Sequence, residues 1–89
     1  MPTVEVTIIN RLGLHARAAA QFVQAASRYG SEISVERDDK TVNGKSIMGV
    51  MMLAASQGTT LKISATGDDA DVALSEIVGL VNSRFGEPS

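Results

Sequence analysis

Three short segments in which apolar and polar residues alternate constrain this chain more than any other feature. Val4, Val6 and Ile8 fall on one face of residues 4–9, with Glu5 and Thr7 on the other. Ile33 and Val35 alternate with Glu32, Ser34 and Glu36; Leu61, Ile63 and Ala65 alternate with Lys62 and Ser64. A period of two means strands. One apolar face per strand implies an antiparallel sheet, wet on one side and covered by helices on the other. Arg37-Asp38-Asp39-Lys40 reads as a turn into a short further strand over residues 41–43.

The segments between strands have helical spacing. Residues 16–29 predict a first helix with Ala19, Phe22 or Val23, and Ala26 inward, and Gly30 ending it. Ser46 is a natural N-cap for a short helix over residues 47–54, whose inward stripe is Ile47, Val50 and Leu53 or Ala54. Asp68 can cap a third helix, with Asp69 and Asp71 in its first turn. Leu74, Ile77, Val78, Val81 and Phe85 make its inward stripe; Arg84 sits in its last turn, and residues 86–89 read as a short frayed tail. The order β-α-β-β-α-β-α describes one two-layer α+β domain spanning residues 1–89.

Composition removes several functions. The chain has no cysteine and one histidine, so a disulfide framework or thiolate metal site is impossible, and a His-based zinc site is disfavoured. Eight basic residues face ten acidic ones, scattered, and the aromatics are only Phe22, Tyr29 and Phe85. With neither basic stripe nor stacking platform, nucleic-acid binding is not expected. No apolar run approaches the roughly 18 residues of a membrane span, so a soluble cytoplasmic protein without metal or cofactor is the expectation.

The chemistry concentrates in Gly13-Leu14-His15-Ala16-Arg17, where the first strand gives way to the first helix. A helix start presents unpaired N–H groups and the positive end of the helix dipole, an anion site. An imidazole and a guanidinium there are arranged to hold a phosphoryl group. Each residue also has a plainer reading. His15 could be a surface histidine in a turn, Arg17 a solvated arginine, and Ser46 a cap and nothing more. A cation in a first helical turn opposes the dipole, which tilts Arg17 towards a functional reading.

Gly13-Leu14-His15-Ala16-Arg17-Ala18-Ala19 resembles the active-site motif of the HPr family, the histidine phosphocarriers of the bacterial sugar phosphotransferase system. Lys45-Ser46-Ile47-Met48-Gly49 resembles that family's regulatory-serine motif. The resemblance covers residues 4–85 and the element order. It implies an open-faced β-sandwich of four antiparallel strands covered by three helices. It also implies that His15 accepts a phosphoryl group from enzyme I, charged by phosphoenolpyruvate, and passes it to a histidine of a IIA-type protein. Neutral imidazole suits that cycle, being both nucleophile and leaving group. Backbone N–H groups of Ala16 and Arg17 would bind phosphoryl oxygens and the Arg17 guanidinium would add charge-assisted bonds.

Further implications follow from the family. Ser46 becomes the target of an HPr kinase/phosphorylase, adding about −1.5 to −2 charge at a helix start. Docking would run through Leu14, Ala16, Ala20, Ile47, Met48, Met51 and Met52 of a monomer. Around that face only Arg17, Arg28 and Lys45 are basic, so apolar contact should outweigh electrostatic steering. Ala18 departs from the proline common in the family, which should loosen the first turn and modestly affect transfer rate. Val81-Asn82-Ser83-Arg84-Phe85 resembles the nitrogen-related branch, so a cascade without a sugar permease is one alternative. A purely regulatory paralogue acting through Ser46 is another, opposed by His15, which known regulators of that kind lack. A small acylphosphatase-like enzyme is a third, for which no water-placing constellation is apparent.

Overall fold

The computed structural model describes residues 2–88. Four strands, β1 (Thr3–Thr7), β2 (Glu32–Arg37), β3 (Lys40–Asn43) and β4 (Thr60–Thr66), form one sheet in the order β1-β4-β2-β3. Every pairing is antiparallel, with Val6 opposite Leu61, and Ile63 opposite both Val4 and Val35. That register puts the alternating apolar residues on one face, where a slip of one residue would turn them all to water. The other face is polar. Lys62 lies between Glu5 and Glu36, and the Thr3 and Thr7 hydroxyls bond those of Ser64 and Thr60 at 3.1 and 3.3 Å.

Three helices cover the apolar face: α1 (Ala16–Ser27), α2 (Ile47–Met52) and α3 (Ala70–Asn82). Ala19, Phe22 and Ala26 of α1, Val50 of α2, and Leu74, Ile77 and Val81 of α3 enter one core with Val6, Ile33, Val35, Leu61 and Ile63. The two-layer α+β class and the alternating strands are therefore as expected, and the open-faced sandwich closes with no disulfide.

Several boundaries differ, each for a local reason. Sheet pairing of β1 ends at Thr7, although Ile8 remains buried with its amide bonded to the Thr59 carbonyl, while Ile9 is exposed. The first helix ends at Ser27 rather than at residue 29, and Gly30 takes no left-handed conformation. Its stop comes from elsewhere: the Asp69 carboxylate accepts from the Gly30 and Ser31 amides and the Ser31 hydroxyl. That engagement also explains why Asp69, not Asp68, is the N-cap residue of α3, and why it makes no side-chain cap bond to its own helix. Ile47 is 44% exposed and Ala54 is exposed at φ 51°, so Val50 and Leu53 alone carry the inward side of α2. Phe85 is buried but lies beyond α3, with Arg84, in a 3₁₀ turn spanning Arg84–Gly86. Within the segment read as a frayed tail, Glu87 bonds to Asn10 and His15; Ser89 lies outside the described residues.

Two clamps set the positions of α1 and α2. The Leu14 amide donates to the Ala55 carbonyl at 2.8 Å, and Gly13 just before it adopts φ +69°. A Cβ on Gly13 would stand 2.5 Å from the Ala55 oxygen, so this crossing of two loops accepts only glycine. Beyond α2, the Arg37 guanidinium donates to the Leu53 and Ala54 carbonyls at 2.7 and 2.9 Å, satisfying the helix end.

Two outcomes test this account. Gly13→Ala should lower stability by about 2–3 kcal/mol, from a strained φ and a backbone clash, read as a lower urea midpoint. Asp69 is held below the usual carboxylate range, foremost by the Ser31 hydroxyl and then by the Gly30 amide. A folded-state value below the unfolded one stabilises above about pH 4 and is lost as pH falls through that value and below. Asp69→Asn should therefore be less stable than the parent near about pH 7, with the gap narrowing below about pH 4.

Candidate functional site

The loop between β1 and α1 is built around a buried asparagine. Asn10 is 0% exposed, its carbonyl accepts from the Gly13 amide, and its Nδ2 donates to the Gly13 carbonyl at 2.8 Å. These bonds and the Leu14–Ala55 bond fix the entry into α1 from both sides. His15 is the N-cap residue of α1, extended at φ −72° and ψ 178°, and its carbonyl accepts the Ala19 amide at 2.8 Å. Its side chain makes no cap bond, so the amides of the first turn at Ala16 and Arg17 keep the free donors of a helix start. Ala16 and Arg17 are exposed.

The His15 side chain is half-buried, and its Nε2 meets Glu87 Oε2 in a short contact. The other carboxylate oxygen, Oε1, accepts from Asn10 Nδ2 at 3.2 Å. Glu87 is held below the usual glutamate range, first by the hydrogen bond from His15, against an opposing effect of burial; Asn10 and the nearby charges of His15 and Arg17 add to the lowering. Among the described residues Nδ1 of His15 makes no hydrogen bond, and the Arg17 guanidinium makes neither hydrogen bond nor close ion pair. The arrangement offers a ring nitrogen, two free amides and one cation at the positive end of a helix. Such a set can bind a phosphoryl group in line with a nucleophile.

The structure places the second motif on α2. Ser46 is its N-cap residue, and its Oγ accepts from the Gly49 amide at 3.0 Å. No hydrogen bond joins Ser46 to His15 or Arg17 among the described residues. Met48, Met52, Ile47 and Met51 are 76, 63, 44 and 42% exposed, Ala16 is exposed and Ala20 half-buried. Leu14 departs from the expected docking face. It is 6% exposed and belongs to the core, because its amide bond to Ala55 turns the side chain inward. Two of the three nearby cations are committed: Arg28 to Glu76 at 2.7 Å, and Lys45 Nζ to the Tyr29 carbonyl at 2.7 Å. Ala18 is fully buried and precedes the first residue whose amide enters the helical ladder, so proline's missing donor would not be missed there.

Reading the residues alone did not find Asn10 or Glu87. Neither belongs to a periodic pattern, and Glu87 reaches His15 across 72 positions of chain. The Gly86-Glu87-Pro88 sequence, a chain-reversing glycine before an acid, was the one local signal. No cluster of three or more His, Cys, Asp or Glu side chains suited to a metal occurs among the described residues, and no helix there is long and apolar enough to cross a membrane.

Comparison with known proteins agrees with this geometry. A family model described as the PTS HPr component phosphorylation site matches residues 2–83. The phosphocarrier protein HPr of Pseudomonas aeruginosa is 54% identical over 88 residues, covering 98% of each chain. The crystal structure of HPr-C-His from Thermoanaerobacter tengcongensis superposes with TM-score 0.96 at 53% identity, over 100% of both chains. HPr from Bacillus anthracis does so with TM-score 0.84 at 44% identity, covering 88% of this chain and 93% of that one. A histidine at an uncapped helix start, on a four-stranded sheet under three helices, thus comes with sequence matches over nearly the full length: this chain belongs to the HPr family, the phosphocarriers of the phosphotransferase system.

Proposed function

We propose that His15 is the phosphoryl acceptor and donor of this phosphocarrier. It takes the group from phosphorylated enzyme I and hands it to a IIA-type protein. The observation that carries the reading is the combination at the start of α1: beside two first-turn amides lie a ring nitrogen and an Arg17 guanidinium that have no partner among the described residues. A helix start contributes about 0.3–2 kcal/mol to a bound anion, which holds a phosphoryl group without trapping it. In-line transfer asks the protein for positioning and charge compensation. Ala16 and Arg17 supply amides, Arg17 the mobile positive charge, and no metal ion or cofactor is required of this chain. The 89 residues act as one HPr domain, working in the cytoplasm as a monomer.

Partner docking is assigned to Ala16, Ala20, Ile47, Met48, Met51 and Met52. The methionines are exposed thioethers, deformable enough to fit more than one partner surface. With Arg28 paired to Glu76 at the surface and Lys45 bonded to the Tyr29 carbonyl, Arg17 is the one of the three cations near this face without a partner among the described residues. Docking then rests on apolar burial more than on long-range attraction.

Ser46 is proposed as the target of an HPr kinase/phosphorylase. Its Oγ faces the Gly49 amide at the positive end of α2, so a phosphoserine would keep an acceptor for that amide. The helix should persist while an exposed apolar face gains a hydrated dianion beside Ile47 and Met48. The consequence is weaker docking to enzyme I, an electrostatic switch at an interface.

Incubation with enzyme I and phosphoenolpyruvate should add one acid-labile phosphoryl group, read by intact mass, that is absent from His15→Ala. An unlabelled parent protein beside a competent enzyme I would overturn the carrier reading. Arg17→Ala should still be labelled, at a rate lower by about tenfold or more, the size of a lost charge-assisted hydrogen bond. Ser46→Ala should lose about 1 kcal/mol of stability from the missing cap, seen in urea unfolding. Ser46→Asp should remain folded and accept phosphoryl from enzyme I more slowly, chiefly through a raised KM for the carrier.

A further inference from the structure

The sulfur of this chain is concentrated on one short surface. Met48, Met51 and Met52 all fall within α2, and the remaining methionine, Met1, lies outside the described residues. None of the three is buried: they are 76, 42 and 63% exposed. Spacings of three and four put them on one side of the helix, while Val50 and Leu53 point the other way into the core. Methionine is ordinarily a filler of irregular core space, yet among the described residues the core holds none.

A thioether is the side chain a peroxide oxidises first in a sequence with neither cysteine nor tryptophan. The sulfoxide it forms is polar where methionine was apolar, and sulfoxide reductases undo the change, one for each epimer. Two features of α2 confine the consequence to its outer side. Its inward side is carried by Val50 and Leu53, 0 and 2% exposed. Its ends are held by groups without sulfur: the Ser46 Oγ on the Gly49 amide, and the Arg37 guanidinium on the Leu53 and Ala54 carbonyls. Oxygen added to the three methionines therefore removes no core side chain and no bond at a helix end.

We propose that Met48, Met51 and Met52 form a reversible, peroxide-responsive modification site that lowers the carrier's affinity for enzyme I, an inference that rests on α2 as part of the docking face. In the oxidising step a sulfur lone pair forms a bond to one oxygen of hydrogen peroxide. The O–O bond breaks with its electron pair leaving on the second oxygen, which takes up the proton of the first and departs as water. The sulfur is oxidised by two electrons and the peroxide reduced by two. In the reverse step a reductase supplied with a dithiol releases the sulfoxide oxygen as water while two thiols become one disulfide. A sulfoxide oxygen is a strong acceptor, and burying it against an apolar partner surface without a donor weakens association. The bond between Leu14 and Ala55 ties the end of α2 to the start of α1, so the altered face adjoins the transfer site. The His15 ring and the Ala16 and Arg17 amides are left as they were. Oxidation then changes how well the carrier docks and leaves the transfer itself alone.

Graded hydrogen peroxide, removed by catalase before assay, should place sulfoxides at Met48 and Met52 before Met51, following their exposure, as read by peptide mass mapping. The oxidised protein should keep the parent's urea midpoint. In single-turnover phosphorylation its KM for enzyme I should rise by about tenfold, the size of one polar group buried without a partner, at an unchanged saturating rate. Sulfoxide reductases with a dithiol should restore the parent KM. In a variant with Met48→Leu, Met51→Leu and Met52→Leu, KM should be the same before and after peroxide, which excludes damage elsewhere. A fall in the saturating rate or in the urea midpoint, failure of the reductases to restore KM, or sulfoxides on α2 with KM unmoved would each overturn the proposal. Met48→Glu separates the last case from a wrong docking face. If it raises KM where the sulfoxides do not, α2 docks and oxidation fails to control it; if it too leaves KM unmoved, the docking reading falls and the proposal with it.

Discussion

The bond from the Leu14 amide to the Ala55 carbonyl, 2.8 Å long, is the joint on which the arrangement of this molecule turns. It ties the loop that enters α1 to the loop that leaves α2, so the starts of the histidine helix and the end of the methionine helix are fixed in one frame. Everything near it is tuned to permit the approach. Gly13 has no Cβ to strike the Ala55 oxygen, Leu14 is drawn into the core, and Asn10 fills the inside of the turn with hydrogen bonds to the Gly13 backbone. A phosphoryl acceptor must be placed to within a fraction of an ångström for in-line transfer, and in the role proposed for His15 that precision would come from backbone bonds and core packing. Ala16 and Arg17, the proposed phosphate-binding residues, are exposed beside that frame.

Charge is distributed with the same economy. With a formal charge of −2, the chain does not advertise a basic surface, and the cations close to α1 and α2 are already spoken for. Lys45 satisfies the carbonyl of Tyr29 past the negative end of α1, Arg28 pairs with Glu76 of α3, and Arg37 satisfies the Leu53 and Ala54 carbonyls just past the end of α2. Each sits where a cation is favoured by unsatisfied carbonyls or a partner carboxylate. Arg17 alone among those near the site stands at a positive helix end, where the dipole opposes it. In the proposed function an incoming phosphoryl group would relieve that opposition, so the unfavourable position of the side chain would suit it to an anion.

Much of this was legible from sequence, and the boundary is physical. Alternation in residues 4–8, 32–36 and 61–65 fixed strands, faces and antiparallel class, because a two-residue period records burial directly. Gly13, His15 and Ser46 were readable because turns and caps are local chemistry, decided within three or four residues. What stayed hidden was decided across the chain. Asp68 and Asp69 are equally good caps in isolation, and only the Ser31 hydroxyl and the Gly30 and Ser31 amides select Asp69 for a different task. Leu14 looked like a surface residue of a motif until Ala55 turned it inward. Glu87 carried no pattern at all, since its position depends on Phe85 finding the core and on a left-handed reversal that Arg84 and Phe85 would not choose alone.

The two helix starts that bear the motifs are built on opposite principles, and the contrast bears on how one small surface could carry both a reaction and its regulation. Ser46 behaves as a cap should: its Oγ takes the Gly49 amide, and α2, only six residues long, depends on such a bond because it has little intrinsic stability. His15 occupies the same position on α1 and declines to cap; its ring turns instead to Glu87. An uncapped start forgoes about 0.5–2 kcal/mol, which a twelve-residue helix packed through Phe22 and four alanines can bear. The amides left open are the ones a phosphoryl group would use. At Ser46 the amide is already satisfied, so a phosphate there would replace one acceptor by another and leave the helix as it was. Its effect must then be exerted outward, on whatever meets Ile47, Met48 and the rest of the exposed apolar face.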